Sequence, residues 1–380
     1  MKYDVQQLNR HALAAVALPT ALECAVIIPT LNEHDNIPVM VAALETALAG
    51  RAYEVIFVDD WSTDGTPLAV EDVAARYPNV RLIRRFGRRG LSTAVVEGAM
   101  ATMAPIIAVI DADMQHDEAL LPKLIDAITI GDADIAIGSR YVAEGSIGDW
   151  DAQRAKGSRL ATLLSQNILK TPVSDPMSGF FVVRKAAVID ALPHLSNMGF
   201  KILLDVLVSC PAPLKVVELP YQFRNRNAGE SKLDSTVAVD FLMMLLDKKF
   251  GRIISPRLLM FAAVGGMGLI VHLTVLRAGL AVPGVSFSIA QSAAVLCAIA
   301  FNFTLNNVLT YRDRRLRGSA LLWGLFSFYA VCGLGAIANV GVGSLVFTSK
   351  SSWLVAGVAG AIVGSVWNFA ASSFVTWRKR

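Results

Sequence analysis

The sequence predicts an α/β domain with a mostly parallel sheet, followed by an all-α domain of four transmembrane helices. In the first part of the chain, the apolar run 26–28 precedes a helical pattern at 37–49, and a second apolar run follows at 54–58. This order is typical of βαβ units. From Leu258 onward, four apolar stretches are each long enough to cross a hydrocarbon core about 30 Å thick. They lie at about 258–280, 286–309, 320–347 and 353–377.

Composition divides the chain into four segments. Residues 1–20 lack the apolar core of a signal peptide and are predicted to form an N-terminal arm. The α/β domain is expected over 21–235 and the membrane domain over 258–380. Between them, the amphipathic stretch 236–257 is expected to lie along the membrane surface. The four cysteines are scattered without metal-ligand spacing, which indicates free thiols in a reducing compartment.

Basic residues flank the apolar stretches unevenly, and this asymmetry predicts the orientation of the protein. By the positive-inside rule, the α/β domain and the C-terminus are expected on the cytoplasmic side of the cell (inner or plasma) membrane, which the chain crosses several times. Attraction to anionic lipid then explains the net charge of +4, and nucleic acid need not be invoked. Lys248 and Lys249 are interpreted as solvated charge of this kind. The other basic residues of these clusters are Arg252, Arg257, Arg312, Arg314, Arg315, Arg317 and residues 378–380.

The membrane part contains an internal repeat. The stretch 261–268 recurs as 328–335, and the pattern of 302–312 recurs at 368–378. Two helical hairpins duplicated in parallel are therefore predicted. Asparagines within the apolar stretches need partners inside the bundle, where they either join helices or serve a further function. They are Asn302, Asn306, Asn307 and Asn368.

Two carboxylates close the apolar run 104–110, which is predicted to be a buried strand. Asp111 and Asp113 are spaced to point to the same side, and Gln115 follows two residues later. Such oxygen ligands suit a hard divalent cation, Mg²⁺ or Mn²⁺, and leave coordination positions for water and phosphate. The pattern therefore predicts a metal site for a nucleoside diphosphate. The alternative is a strand-ending loop that is merely rich in turn-forming residues.

Further polar residues follow the first two predicted strands. Pro29 and Glu33 come after the first strand, and Asp59 and Asp60 come after the second. Ligands of parallel sheets collect at the carboxyl ends of the strands, so we expect Asp59 or Asp60 to accept hydrogen bonds from a ribose or a base. An Asx turn that caps the next helix is the alternative; it accounts for Asp64 but not for the pair.

Four basic residues lie on loops well before the juxtamembrane cluster. Arg140 ends the predicted strand at 134–141, and Arg154, Arg226 and Lys232 follow it among turn-forming residues. Basic side chains on loops next to a bilayer are suited to hold a phosphate that is carried by a lipid. Solvated positive-inside charge is the competing interpretation, and it explains these positions poorly.

Over about 26–233, the ordered blocks VIIPTLNE, DDWSTDGT, GLSTA, DADMQH, GSRY, DPMSGFF, GFKILLD and GESKL resemble the dolichol- or polyprenol-phosphate mannose synthases. These are membrane members of the family 2 glycosyltransferases, which have a GT-A fold. The duplicated membrane part resembles the GtrA-like four-helix domain, which is associated with the handling of polyprenyl-phosphate sugars. Trp61 stands where a small residue is common, and Glu118 where proline is common.

The resemblance implies roles for individual residues. It implies nucleotide-sugar contacts from Pro29, Glu33, Asp59, Asp60, Asp111, Ala112 and Asp113, and metal ligation by Asp111, Asp113 and Gln115. It also implies contacts with the acceptor phosphate from Arg140, Arg154, Arg226 and Lys232. The residues expected to carry the chemistry are Asp113, Arg140, Arg226 and Lys232.

The expected reaction is transfer of mannose from GDP-mannose to a polyprenyl phosphate, with inversion, at the cytoplasmic membrane face. A lipid monophosphate is already anionic, so it needs positioning rather than a base. His116 is therefore interpreted as a loop residue that hydrogen-bonds near the carboxylates. Alternatives are the same chemistry with UDP-glucose or another nucleotide sugar, and a lipid-linked sugar flippase. A processive polysaccharide synthase would normally carry a Gln-x-x-Arg-Trp motif, which the sequence lacks.

Overall fold

The computed structural model describes residues 21–87, 90–148, 152–196, 201–225, 235–251, 254–348 and 353–378. The chain divides into two compact units, Met1–Lys248 and Lys249–Arg380.

The first unit is built on a seven-stranded sheet with the order β3-β2-β1-β4-β6-β5-β7. Strand β6 runs antiparallel to both of its neighbours, whereas the other adjacent strands pair in parallel. The predicted class, an α/β domain with a mostly parallel sheet, is confirmed. The strands are β1 Cys24–Thr30, β2 Tyr53–Asp59, β3 Val80–Arg84, β4 Ile106–Val109, β5 Ile135–Ser139, β6 Phe181–Arg184 and β7 Val216–Pro220.

Helices cover both faces of this sheet, because its central strands are apolar on both sides. In β1, Val26 and Ile28 belong to one core and Ile27 belongs to the other, as the two-residue period of a strand requires. Gly98 allows one helix to approach closely, since a Cβ there would lie 2.6 Å from Ile27 Cγ2. The helices are α1 Ile37–Ala47, α2 Thr66–Ala74, α3 Leu91–Met100, α4 Leu121–Thr129, α5 Ala152–Gln166, α6 Lys185–Ala191, α7 Ile202–Ser209 and α8 Ser235–Phe250.

The predicted environment of Lys248, on helix α8, differs from the one in the structure. Lys248 was expected to be solvated, but its side chain is only 7% exposed, and its ammonium nitrogen lies 2.5 Å from Oδ1 of the buried Asp205. Met244, one turn earlier, packs with Leu204 of α7, and this contact brings Lys248 to the carboxylate. The neighbouring Lys249 is exposed. Packing of the helix therefore decides which of two adjacent lysines is buried.

The second unit is helical, and its apolar helices make the chain a membrane protein. Among the described residues, Pro256–Leu280, Ile289–Thr310 and Ser319–Ile337 are long and apolar enough to cross a membrane. The fourth predicted span is also helical, although its first side chains lie outside the described part. The helices are α9 Pro256–Leu280, α10 Phe287–Leu305, α11 Ser319–Thr348 and α12 Trp353–Phe374.

The same packing contact occurs in both halves of this unit. A Cβ on Gly268 would lie 2.1 Å from Asn302 Oδ1, and a Cβ on Gly335 would lie 2.0 Å from Asn368 Oδ1. Each glycine thus lets the paired helix of its hairpin approach closely. Because these four residues occupy equivalent positions in the sequence repeat, the contacts support a duplicated hairpin.

The second helix of each hairpin also ends in the same way. Tyr311 N donates to Asn306 O at 2.8 Å, and Trp377 N donates to Ser372 O at 2.9 Å, so both ends contain a bond across five residues. The rings of Tyr311 and Trp377 stack with centroids 4.2 Å apart. Asn307 Oδ1 accepts from Trp377 Nε1 at 3.0 Å. The asparagine at 307 therefore joins the two hairpins.

Candidate active site

The sheet brings the predicted polar residues of the first two strands to one edge. Thr30, the last residue of β1, is paired with Asp59, the last residue of β2, and Asp60 N donates to Thr30 O at 2.9 Å. Strand β4 lies on the other side of β1, and Asp111 follows its last residue by two positions. The carboxyl ends of β1, β2 and β4 thus form one rim, which is where a parallel sheet binds its ligands.

Hydrogen bonds join the loops that follow β1 and β2. Asn32 N donates to Ser62 Oγ at 2.8 Å, and Asn32 Oδ1 accepts from Thr63 N at 2.9 Å. Glu33 N donates to Thr66 Oγ1 at 2.9 Å. The two loops therefore hold each other in place, and Glu33 is positioned beside the start of α2. The predicted Asx turn is also present, since Asp64 Oδ1 accepts from Thr66 N at 2.9 Å.

The two adjacent aspartates have different surroundings. Asp59 is fully buried; its Oδ2 accepts from Ser62 N at 3.2 Å, while its Oδ1 has no hydrogen-bond partner among the described residues. Thr30 Oγ1 is also buried without a hydrogen-bond partner among the described residues. Buried acceptors without a partner are costly, so they indicate a ligand that completes them.

Asp60, by contrast, is held by protein groups. Its Oδ1 contacts Arg85 Nη1, and its Oδ2 accepts from Gly90 N at 2.7 Å. The Arg85 side chain is 1% exposed and also lies 3.2 Å from Glu97 Oε2. Asp60 therefore shapes the loop before α3, which begins at Leu91.

Asp111 is held by a histidine inside an aromatic cluster. His116 Nε2 lies 3.2 Å from Asp111 Oδ2, and His116 Nδ1 lies 2.9 Å from Tyr221 Oη. The imidazole is 3% exposed and stacks on Phe180 with ring centroids 5.3 Å apart. The expectation that His116 hydrogen-bonds near the carboxylates is confirmed.

The environment of Asp111 favours its ionised form. Burial by itself raises the pKa of this carboxyl, but the hydrogen bond and positive charge of His116 outweigh it, with smaller contributions from Lys201 and Arg140, and the pKa is lowered. Gly179 lies against the carboxylate, because a Cβ there would be 2.5 Å from Asp111 Oδ2. The Asp111 side chain is nevertheless 34% exposed, and an ionised, accessible carboxylate is suited to bind a cation.

The other predicted metal ligands lie in the loop after Asp111. Asp113 is 9% exposed, and its Oδ1 accepts from Gln115 N at 3.2 Å. Gln115 Nε2 donates to Arg224 O at 3.1 Å, which orients the amide group. No group of three His, Cys, Asp or Glu side chains suited to a metal occurs among the described residues. A site here would instead combine two carboxylates with an amide oxygen, which is a donor set that fits Mg²⁺ or Mn²⁺.

Arg140 forms a buried ion pair. Its Nε donates to Asp175 Oδ2 at 2.7 Å and its Nη2 donates to Asp175 Oδ1 at 2.8 Å, while the Arg140 backbone N also donates to Oδ2. The two side chains are 7% and 0% exposed. Burial alone would lower the pKa of the guanidinium, but the carboxylate raises it, so Arg140 stays charged. Its contact with an acceptor phosphate remains a prediction.

The remaining predicted residues are placed in part. Pro29 is half-buried in β1, and Ala112 is buried between the two carboxylates of the Asp-x-Asp pattern. The prediction that Arg154 lies on a loop is wrong, because this residue belongs to helix α5; its side chain lies outside the described part. Arg226 and Lys232 also lie outside the described residues.

Two basic residues near the site received no role in the sequence analysis. Lys201 Nζ donates to Met177 O at 3.2 Å, and its charge lowers the pKa of Asp111. Arg224 forms ion pairs with Asp117 and Glu118, with nitrogen to oxygen distances of 2.5 and 2.8 Å. Both basic residues are far in sequence from their partners, so spacing could not reveal these contacts.

Comparison with known proteins agrees with this architecture. The model of the glycosyl transferase family 2 matches residues 25–192, and that of the GtrA/DPMS transmembrane domain matches residues 260–377. Among solved structures, glucosyl-3-phosphoglycerate synthase from Mycobacterium tuberculosis, crystallised with Mn²⁺, UDP and glucosyl-3-phosphoglycerate, is 18% identical. The match covers 60% of this chain and 80% of that one, with a TM-score of 0.45, which is too distant to support an inference about ligands.

Two dolichol-phosphate mannosyltransferases have higher sequence identity to this chain than that structure has. The dolichol-phosphate mannosyltransferase of Saccharomyces cerevisiae is 34% identical over 243 residues, which are 61% of this chain and 90% of that protein. The dolichol-phosphate mannosyltransferase of Pyrococcus furiosus is 35% identical over 360 residues, which are 94% of this chain and 99% of that protein. The similarity thus extends through both units, and the chain belongs to the dolichol-phosphate mannosyltransferases, a group of family 2 glycosyltransferases, and carries a GtrA/DPMS transmembrane domain.

Proposed function

We propose that this protein transfers mannose from GDP-mannose to the phosphate of a polyprenyl lipid, with inversion at the anomeric carbon. Mannose transfer to a polyprenyl phosphate is the activity of its family. The observation that carries the finer proposal is the rim formed by β1, β2 and β4. The Asp59 oxygen that lacks a hydrogen-bond partner among the described residues lies at the end of β2, and the ionised Asp111 follows β4, on the other side of β1. One residue can contact the nucleoside there, and the other the diphosphate.

The nucleoside end of the donor would contact the loops after β1 and β2. Asp59 Oδ1 and Thr30 Oγ1 are buried acceptors without partners among the described residues, so a ribose hydroxyl or a base N–H would satisfy one of them. Pro29 and Glu33 would form the wall of this pocket. Asp60, which is paired with Arg85, would act by holding the loop rather than by direct contact.

The diphosphate end would lie beside Asp111, Ala112 and Asp113. With Gln115, the two carboxylates would hold Mg²⁺ or Mn²⁺, which when bound supplies positive charge to offset the charge that develops on the departing diphosphate. The lowered pKa of Asp111 keeps that carboxylate ionised for this role. Lys201 and Arg140 add positive charge close to Asp111.

The acceptor phosphate would be held by Arg140, Arg154, Arg226 and Lys232. One of its oxygens attacks the anomeric carbon, the bond from that carbon to the diphosphate breaks, and GDP leaves. The acceptor is already anionic, so a general base is unnecessary and His116 can remain bonded to Asp111 and Tyr221. The basic residues that flank the membrane helices favour the cytoplasmic face as the place of reaction.

The donor can be tested with purified full-length protein, a polyprenyl phosphate and a panel of nucleotide sugars. We expect GDP-mannose to be used in the presence of Mg²⁺ or Mn²⁺, and UDP-glucose to be a poorer donor by orders of magnitude. The reason is that a pocket of polar groups rejects a base whose hydrogen bonds do not match. Efficient use of UDP-glucose without turnover of GDP-mannose would refute the donor while leaving the metal and acceptor proposals untouched.

The metal proposal has its own test. Asp113→Asn should preserve the fold but lower transfer at least ~100-fold, which is the scale of losing a main electrostatic stabiliser. Asp72→Asn, at an exposed position in α2, is the matched control and should keep full activity. If chelator-treated wild-type protein keeps its normal turnover, no metal takes part.

A further inference from the structure

The membrane unit contains a cavity of about 610 Å³ at the ends of its helices. Ser255 and Arg257 line it at the start of α9, and Arg314 lines it from the loop after α10. Phe374 and Arg378 contribute from the end of α12. All the residues that line it belong to the second unit, and none of them is among the predicted site residues of the first unit.

Positive charge dominates this cavity. Three of the residues that line it are arginines and none is acidic. The nearby Asp313 is shared, because its Oδ2 lies 3.0 Å from Arg257 Nη2 and 3.5 Å from Arg314 Nε. Arg378 adds a third guanidinium. One carboxylate is therefore set against three cations, an arrangement that a phosphate group would complement.

Two of the three arginines, Arg257 and Arg314, are held by contacts within the protein. Arg314 Nη1 donates to Trp377 O at 3.1 Å, and the Arg257 guanidinium lies 5.7 Å from the ring centroid of Tyr311. Tyr311 and Trp377 stack on each other in the buried aromatic cluster of the bundle. Guanidinium groups that are already oriented lose less freedom when they bind an anion.

Another part of the cavity lining is apolar. Phe369, Ala370 and Phe374 line it along one helix, and Phe374 is 78% exposed, so the apolar surface continues out of the cavity. A small anion would contact the arginines but leave this wall unused. A molecule with a phosphate head and a hydrocarbon chain would contact both.

We propose that this cavity binds the phosphate head group of an anionic lipid, with its chain along Phe369 and Phe374. The polyprenyl phosphates of the reaction and the bulk phospholipids of the bilayer both have this chemistry. The proposal concerns residues that take no part in the proposed transfer, so it does not depend on the donor or on the metal.

Photolabelling of the full-length protein in lipid nanodiscs tests the proposal. The probe is a short isoprenyl phosphate with a diazirine in its chain, used without any nucleotide sugar. We expect labelled peptides from residues 369–378, and we expect Arg257→Gln/Arg378→Gln to lower this labelling at least about tenfold by removing two charge-assisted contacts. Arg378→Gln alone, at an exposed position, should lower it without disturbing the ion pair of Arg257.

Arg315→Gln/Arg317→Gln is the matched control. Both residues are exposed in the same loop and do not line the cavity, so the charge of the protein changes equally while labelling should persist. Labelling that survives in both cavity variants, or that falls equally in the control, overturns the site.

Competition identifies the ligand. Protection by unlabelled polyprenyl phosphate or by phosphatidylglycerol supports the proposal, and the stronger competitor reveals which lipid occupies the cavity. Inorganic phosphate that protects as well as either lipid at the same concentration overturns the role of the apolar wall.

Discussion

Asp59 and Asp60 are adjacent and chemically identical, yet the structure gives them different tasks. Asp59 is buried and has one oxygen without a hydrogen-bond partner among the described residues, whereas both oxygens of Asp60 are occupied by Arg85 and Gly90. We propose that Asp59 contacts the donor and that Asp60 maintains a loop. Substitution of either residue would impair the enzyme, but for different physical reasons.

Asp60→Asn should therefore lower the free energy of unfolding by about 1–3 kcal/mol, because it removes one of the two carboxylates that are paired with the buried guanidinium of Arg85 and leaves only Glu97. Asp59→Asn should unfold close to the wild-type temperature but bind GDP at least about tenfold more weakly, because an amide replaces one of the acceptors. Thermal unfolding and GDP titration of both variants measure this difference. Equal losses of stability would contradict the separate roles.

Gly179 illustrates how closely the loop before β6 approaches the site. Its Cα faces the carboxylate of Asp111 at a distance that leaves no space for a methyl group.

Trp61 has a strained backbone. Its φ is +67°, a conformation that favours glycine, and its ring packs edge to face against Phe86 with centroids 5.6 Å apart. Glycine at this position would adopt that conformation with less strain, because it has no Cβ atom.

A buried ion pair connects helix α8 to the rest of the first unit. Lys248 reaches Asp205 and also donates to His194 O and Ser209 Oγ, at 2.6 and 2.7 Å. Apolar residues occur on both the exposed and the buried side of this helix: Leu242 is exposed, whereas Met244 is buried. The ion pair therefore acts together with the packing of Met244 to hold the helix in this rotation.

Lys248→Met should lower the free energy of unfolding by about 3–5 kcal/mol, since the Asp205 carboxylate would stay buried without a cation. Lys249→Met removes the same charge from the next, exposed residue and should have little effect. The measurement is thermal unfolding of the full-length variants in detergent, followed by tryptophan fluorescence. Similar melting temperatures for the two variants would show that the ion pair does not fasten the helix.

The two hairpins of the membrane unit depend on glycine at the same positions. Gly268→Ala and Gly335→Ala should each destabilise the helical bundle by about 1–3 kcal/mol, because the new methyl group would overlap the facing asparagine. Gly265→Ala and Gly333→Ala place the same methyl group where nothing lies within 4 Å and should be neutral or slightly stabilising. Thermal stability in detergent distinguishes the two pairs, and a loss in the second pair would indicate a general intolerance of alanine.

The whole molecule joins a transferase unit to a duplicated helical unit, and the basic loops predict its orientation in the membrane. The orientation can be tested with single cysteines in two loops that are predicted to lie on opposite sides of the membrane. Gly318 and Gly284 lie in these loops, but both have positive φ values. The exposed residues Ser319 and Ala281 nearby are therefore better positions for cysteine. In a background without the native cysteines, Ser319→Cys should be protected from an impermeant reagent in intact cells. Ala281→Cys should be labelled. The reverse pattern would place the transferase unit outside the cell.

Much of the architecture could be predicted from the sequence. The alternation of apolar runs with helical patterns predicted the α/β class, and the lengths of the four apolar stretches predicted the membrane helices. The ordered motif blocks predicted the family. These properties depend on hydrophobic period, segment length and the order of blocks, all of which can be seen along the chain. Strand β6 was missed as a strand, because its four residues are too short to show a period and it pairs antiparallel with strands formed elsewhere in the chain.

Only the tertiary structure decided which charged groups are paired. The pairs Arg85 with Asp60, Arg140 with Asp175 and Lys248 with Asp205 are separated by 25 to 43 positions in the chain. The energy of such a pair depends on distance and burial, and both are fixed by the packing of sheet and helices rather than by neighbouring residues. For the same reason the sequence could identify Asp59 and Asp60 as a candidate pair, while the fold alone showed that Asp60 is held by Arg85 and Gly90 and that Asp59 has an oxygen without a hydrogen-bond partner among the described residues.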